Sequence, residues 1–252
     1  MNISIFLLAA LFGVSLVLTM VGLGGGLIFS PLFIILGFAK SDAASASLFL
    51  NLIAAASAAS TYARKKMVDF SIAIPLIVSS ALAAPVGSYF NVRIDTKPFL
   101  MIMAVVLALA GGRMLMAPPQ ASGEAAVGAA GKIVSGLLIG GCIGFLGGLL
   151  GIGGGVFIVP LLIFVVKTPT KIAAASSTFI VCFSSLTGFL GYASMTRIQW
   201  AFILPAAVAC FIGGQVGSRI MSTGMKGRSI RVIFSVILFL LCAKLLYQSF
   251  FL

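Results

Sequence analysis

Apolar residues run along this chain in ten stretches, and the polar positions fall mostly between them. The first half carries stretches at about residues 3–20, 27–38, 43–62, 70–90 and 98–117. The second carries them at about 132–150, 156–166, 172–192, 200–221 and 229–252. Four in each half approach the roughly 20 residues that a helix needs to cross a bilayer. The stretches at 27–38 and 156–166 are too short for a comfortable crossing and predict broken or re-entrant helices. The pattern predicts an all-α, polytopic membrane protein of two homologous halves. Each half has four long transmembrane helices and one short one.

Composition strengthens this reading. The chain is 61% hydrophobic and 8% charged, against about 25% charged in a typical soluble domain. The one sizeable polar break holds Pro118, Pro119, Gly123, Glu124 and Gly128. Residues 1–117 therefore read as an N-terminal repeat, 118–131 as a linker and 132–252 as a C-terminal repeat. No Lys or Arg precedes the first apolar run, which continues straight into a glycine cluster; it is expected to belong to the mature fold rather than to a cleaved signal.

That glycine cluster occurs twice. Gly22-Leu23-Gly24-Gly25-Gly26 is followed by Pro31-Leu32, and Gly151-Ile152-Gly153-Gly154-Gly155 by Pro160-Leu161, 129 positions later. After one extra residue in the first half the spacing becomes 130. Ser47, Phe49, Tyr62, Pro75 and Gly87-Ser88 then align with Ser177, Phe179, Tyr192, Pro205 and Gly217-Ser218. The register marks an internal duplication. Helix breaks at matching points of two apolar halves are a pattern of membrane transporters. Glycines spaced by four, at Gly140, Gly144 and Gly148 and at Gly213 and Gly217, predict close helix–helix packing.

A break inside a membrane exposes N–H and C=O groups, so it survives only when buried in protein or lining a polar cavity. Glycine allows the required backbone angles. The helix after the break offers free N–H groups and the positive end of its dipole, which hold an anion without a lysine or arginine. Gly24, Gly25, Gly26, Gly153, Gly154 and Gly155 are therefore expected to shape a substrate site. Pro31 and Pro160 are expected to loosen or kink the short helices. Ser47 and Asn51 in the first half, and Ser177 and Thr178 in the second, are the candidate hydrogen-bonding residues. Packing glycines and interhelical Ser or Thr hydrogen bonds are the plainer alternatives.

The net charge of +12 changes little. Basic residues stand at the ends of apolar runs, as orientation in a membrane and contact with lipid require, and form no nucleic-acid face. If both short segments cross, eleven of the 16 Lys and Arg fall on one side and five on the other. If neither crosses, the division is nine to seven. The steeper bias favours inverted halves, with the basic side in the cytoplasm. Asp42, Asp69, Asp95 and Glu124 sit at segment ends or in loops, and there is no His. A buried proton relay, an acid-lined cation path and an intramembrane enzyme are all disfavoured. Cys142, Cys182, Cys210 and Cys242 have neither zinc-site nor disulfide-framework spacing, and no metal or other cofactor is implied. No ATP-binding loop is present.

At both glycine motifs with their following Pro-Leu, at the Ala/Ser-rich stretches 43–47 and 173–177, and at the late Gly-Ser pairs, the chain resembles the sulfite exporter TauE/SafE family. The resemblance covers nearly the whole chain. It implies two homologous halves that move small anions, often sulfur-containing or carboxylate compounds. The expectation is a multi-pass transporter of the cytoplasmic membrane for a small anion, in contact with lipid and not with nucleic acid. A channel-like facilitator, or a scaffold or receptor that moves nothing, is the rival. Substrate identity, direction, coupling and oligomeric state stay open.

Overall fold

The structure is a computed structural model that describes residues 5–91, 104–105, 108–109, 111–116, 129–150, 154–193 and 199–251. Among them there is no strand. The helices are α1 (Ile5–Val21), α2 (Gly26–Ile35), α3 (Lys40–Arg64), α4 (Phe70–Asn91), α5 (Ala129–Leu150), α6 (Gly155–Phe164), α7 (Thr170–Ala193), α8 (Trp200–Gly224) and α9 (Gly227–Phe251). Each lies within a few residues of an apolar stretch in the sequence. Residues 117–128, most of the expected linker, lie outside the described residues, as do Gly151, Ile152 and Gly153.

Among the described residues, four helices are long and apolar enough to cross a membrane: α3, α4, α7 and α8. Their outward faces suit lipid. Ile74, Val78 and Leu82 recur every four residues along α4 and are 56%, 49% and 73% exposed, a stripe that water would not tolerate at this length. The chain is a multi-pass membrane protein. The short helices α2 and α6 have 10 residues each. Each is about 15 Å long, half of a hydrocarbon core of about 30 Å.

α3 and α7 form the centre and run antiparallel. Early α3 meets late α7: Ala44 and Leu48 cluster with Phe189 and Tyr192. α1 packs on α8, and α5 packs on α4. α8 also lies along α3, and α4 along α7, while α2 leans on α3 and α6 on α7. Exchanging α1–α4 with α5–α8 maps each of these contacts onto another. In the duplication expected from the sequence register, the first helix of each half therefore packs on the fourth helix of the other.

The glycine repeats make those crossings possible. A Cβ on Gly144 would strike the backbone of Ser80, and one on Gly148 the backbone of Ala84. On the other side, Gly213 and Gly217 face the carbonyls of Phe12 and Leu16. In lipid, such backbone-to-backbone approach replaces the hydrophobic effect as the source of helix adhesion.

One end of the bundle holds Lys65, Arg113 and Arg231. Lys65 Nζ donates to Ser222 Oγ at 2.8 Å, joining the ends of α3 and α8. Arg231 donates to Thr170 Oγ1 at 3.2 Å, joining the starts of α9 and α7. Arg113 lies over the Phe164 ring, 4.8 Å from its centroid, at the end of α6.

Candidate functional site: two glycine breaks that meet in the bundle

Every residue of the first glycine motif has a separate place. Gly22, at φ +89°, ends α1 in a Schellman motif. There Leu23 N–H donates to Leu18 O at 2.9 Å and Gly22 N–H reaches Thr19 O at 3.4 Å. Gly24 is left-handed again, at φ +72°, and its missing side chain makes room for the Asn51 amide. Gly25 is the N-cap of α2 and Gly26 its first residue.

Side chains from α3 and α7 then close the break. Asn51 Oδ1 accepts the Gly25 N–H, and Asn51 Nδ2 donates to Ser185 Oγ on α7 at 2.7 Å. Ser47 Oγ donates to Gly26 O at 2.9 Å. Ser177 Oγ donates to Gly22 O at 2.7 Å, reaching from the second half into the first. Asn51, Ser47, Ser177 and Ser185 are all buried. Asn51 is the twelfth residue of the 25 in α3, so the α2 N-terminus sits near the middle of the span.

The second break comes to the same place. Gly154, at φ +77°, caps α6. A Cβ on Gly155 would meet Leu23 O at 3.0 Å and the Val181 side chain at 2.9 Å. The two interruptions thus touch, backbone to backbone, beside the twelfth residue of α7. The N-caps are not conformational copies: Gly25 has φ −125° where Gly154 has +77°. Pro31 and Pro160 are each the sixth residue of their short helix, and both helices continue four residues beyond.

The site residues expected from sequence therefore divide. Gly24, Gly25, Gly26, Ser47, Asn51, Gly155 and Ser177 converge, and Gly154 caps the second short helix. Gly153 lies outside the described residues. Thr178 does not hold the place that Asn51 holds. Its hydroxyl donates to Ala174 O of its own helix at 3.0 Å, and on the 130-residue register Asn51 matches Val181. Asn51, expected as a neutral hydrogen-bonding residue for the anion, has both ends of its amide engaged by the protein, because an unpaired amide is costly away from water. Ser185 was missed from sequence. The available signal was its position one helical turn after Val181.

Chemically the site is neutral. The N–H groups of Gly26 and Leu27 in α2, and of Gly155 and Val156 in α6, have no acceptor within their own helices. Each helix aims its positive dipole end at the meeting point. In this conformation Gly22–Gly26 and Gly154–Val156 are buried, so the first break and the start of α6 are closed over. Among the described residues no group of three His, Cys, Asp or Glu could hold a metal.

The model of the sulfite exporter TauE/SafE family matches residues 6–245. The chain belongs to that family. It is 26% identical to the probable membrane transporter protein YunE of Bacillus subtilis (strain 168), over 92% of this chain and 93% of that one. A probable membrane transporter protein of Xylella fastidiosa (strain 9a5c) is 29% identical, over 81% and 80%. The probable membrane transporter protein YfcA of Escherichia coli (strain K12) is 24% identical, over 90% and 83%. No solved structure matches the chain significantly. As a TauE/SafE family member the chain is a membrane transporter.

The Asn51 bridge generates a stability prediction. Asn51→Ala strands the Gly25 N–H and the Ser185 hydroxyl, and should destabilise the protein by about 1–3 kcal/mol. Ser185→Ala should cost less. Thermal unfolding of both single variants and the double variant in detergent should give a coupling of about 1 kcal/mol. Strict additivity would show that the two side chains do not act through one another.

Proposed function

We propose that this TauE/SafE protein carries a small organic or sulfur-containing anion, of the sulfite, sulfonate or carboxylate class, across the cytoplasmic membrane by alternating access. The observation that carries this reading is the meeting of two short-helix N-termini near mid-depth, lined by neutral donors. Such ends attract negative charge without burying a cation. A cation carrier would need carboxylates there, and a hydrolase would need a nucleophile beside a base. Ser47, Asn51, Ser177 and Ser185 would turn from the backbone to the anion as the breaks open. Gly24–Gly26 and Gly153–Gly155 shape the place where it sits.

Inverted halves suit this cycle. The antiparallel run of α3 and α7, which are matched by the sequence register, supports inversion. So does the gathering of Lys65, Arg113 and Arg231 at one end of the bundle. With the native cysteines replaced, single cysteines introduced at 64–66 and at 167–171 should both react from the cytoplasm. Reaction from opposite faces would reject the inversion.

Transport itself is tested in proteoliposomes with labelled sulfite, a short alkyl sulfonate and acetate. At least one should show saturable uptake. A side chain at Gly25 would displace the Phe29 ring, and one at Gly154 would strike Ile143. Gly25→Leu and Gly154→Leu, checked for monodispersity, should therefore weaken binding of that anion by about tenfold or more. Unchanged affinity in both folded variants counts against a backbone site. Absence of flux for a wide panel of anions favours a scaffold or receptor.

A further inference from the structure

Two tyrosines matched by the sequence register make matched hydrogen bonds. Tyr62 OH donates to Thr19 O at 2.9 Å, and Tyr192 OH donates to Gly148 O at 3.3 Å. Tyr192 follows Tyr62 by 130 positions, and Gly148 follows Thr19 by 129. These are the two offsets that relate the halves on either side of the extra residue. Both phenols are buried, at 0% and 1% exposure.

The acceptors lie where a helix needs help. Thr19 is the third residue from the end of α1, and Gly148 the third from the end of α5. Carbonyls in a last turn have no partner in their own helix, and no water reaches them in lipid. Among the described residues, Thr19 O otherwise receives only the long 3.4 Å approach of Gly22 N–H. Each tyrosine stands near the end of the central helix of its half, so it joins that helix to the one entering the break. Packing does the opposite: α1 is held against α8 and α5 against α4, each in the other half. The phenols are therefore side-chain ties that hold each entering helix to its own half. The two ties also sit at opposite ends of the bundle. Tyr62 is beside the basic end, and Tyr192 packs with Ala44 near the start of α3.

We propose that Tyr62 and Tyr192 are positioning residues for the two glycine breaks, each fixing the last turn of the helix that enters its own break. Their hydrogen bonds fall before the glycines of the breaks, at Thr19 O and Gly148 O. They act through the backbone: the phenol sets the last turn, and the last turn sets where the following glycines begin. The first break is then governed from the basic end and the second from the other end, each by its own hydroxyl.

Hydrogen exchange of the full chain in lipid nanodiscs tests this without any substrate, and so independently of the transport reading. Tyr62→Phe keeps the ring and removes the tie. It should speed exchange of the amides at 22–25 by about five- to tenfold and leave those at 147–150 and 154–157 unchanged. Tyr192→Phe should do the reverse. Tyr247→Phe, at an exposed position on α9, should change neither. Unaltered exchange at both breaks in the two variants overturns the proposal. So does faster exchange spread through both halves by either variant alone, since that pattern marks a general packing role.

Discussion

A helix that stops halfway through a membrane leaves four carbonyls at one end and four N–H groups at the other, and lipid offers them nothing. This protein stops two helices in that way, and its centre is arranged around the repair. Gly22 turns the end of α1 back on its own carbonyls. Ser47, Asn51 and Ser177 take up groups of the break that follows. The long helices α3 and α7 are central because they supply those side chains. α1 and α5 come close enough to be served only because glycines remove the side chains at their crossings with α8 and α4.

Helices paired by the sequence register make matching contacts but carry different polar residues. Asn51 corresponds to Val181, and Ser185 to Ala55. The amide bridge across the centre thus exists once, built from one residue of each half at positions that are not equivalent. Gln215 repeats the theme. It bonds Ser57 and Thr61 between α8 and α3, whereas its counterpart is Pro85. In the proposed cycle, the helices paired by the sequence register rock against each other. The substitutions on that frame make the proposed polar site asymmetric.

Much of this was legible in the sequence, for physical reasons. Lipid demands continuous apolar runs, so the predicted stretch at 200–221 became α8 at Trp200–Gly224 and that at 156–166 became α6 at Gly155–Phe164. Glycine at an αL position ends a helix, so the breaks fell at the glycine motifs. The partners of polar side chains were not legible, because they depend on which helices face each other. Asn51 and Ser185 are 134 residues apart, and only the antiparallel packing of α3 and α7 makes them neighbours. Thr178 sits in the right stretch, but its hydroxyl is spent on the preceding turn. The tyrosines showed in the alignment of the halves as a bare coincidence of residue type. Their purpose appears only when the ends of α1 and α5 are placed beside them.

The central claim is that main-chain N–H groups at the breaks hold the anion. Nuclear magnetic resonance of glycine-15N-labelled protein, titrated with sulfite, a sulfonate or acetate, reads those groups directly. The account predicts saturable shifts at Gly25, Gly26 and Gly155, with Gly224 at the end of α8 unmoved. Saturable binding that leaves the break glycines untouched, or moves only resonances at the basic end, would contradict it.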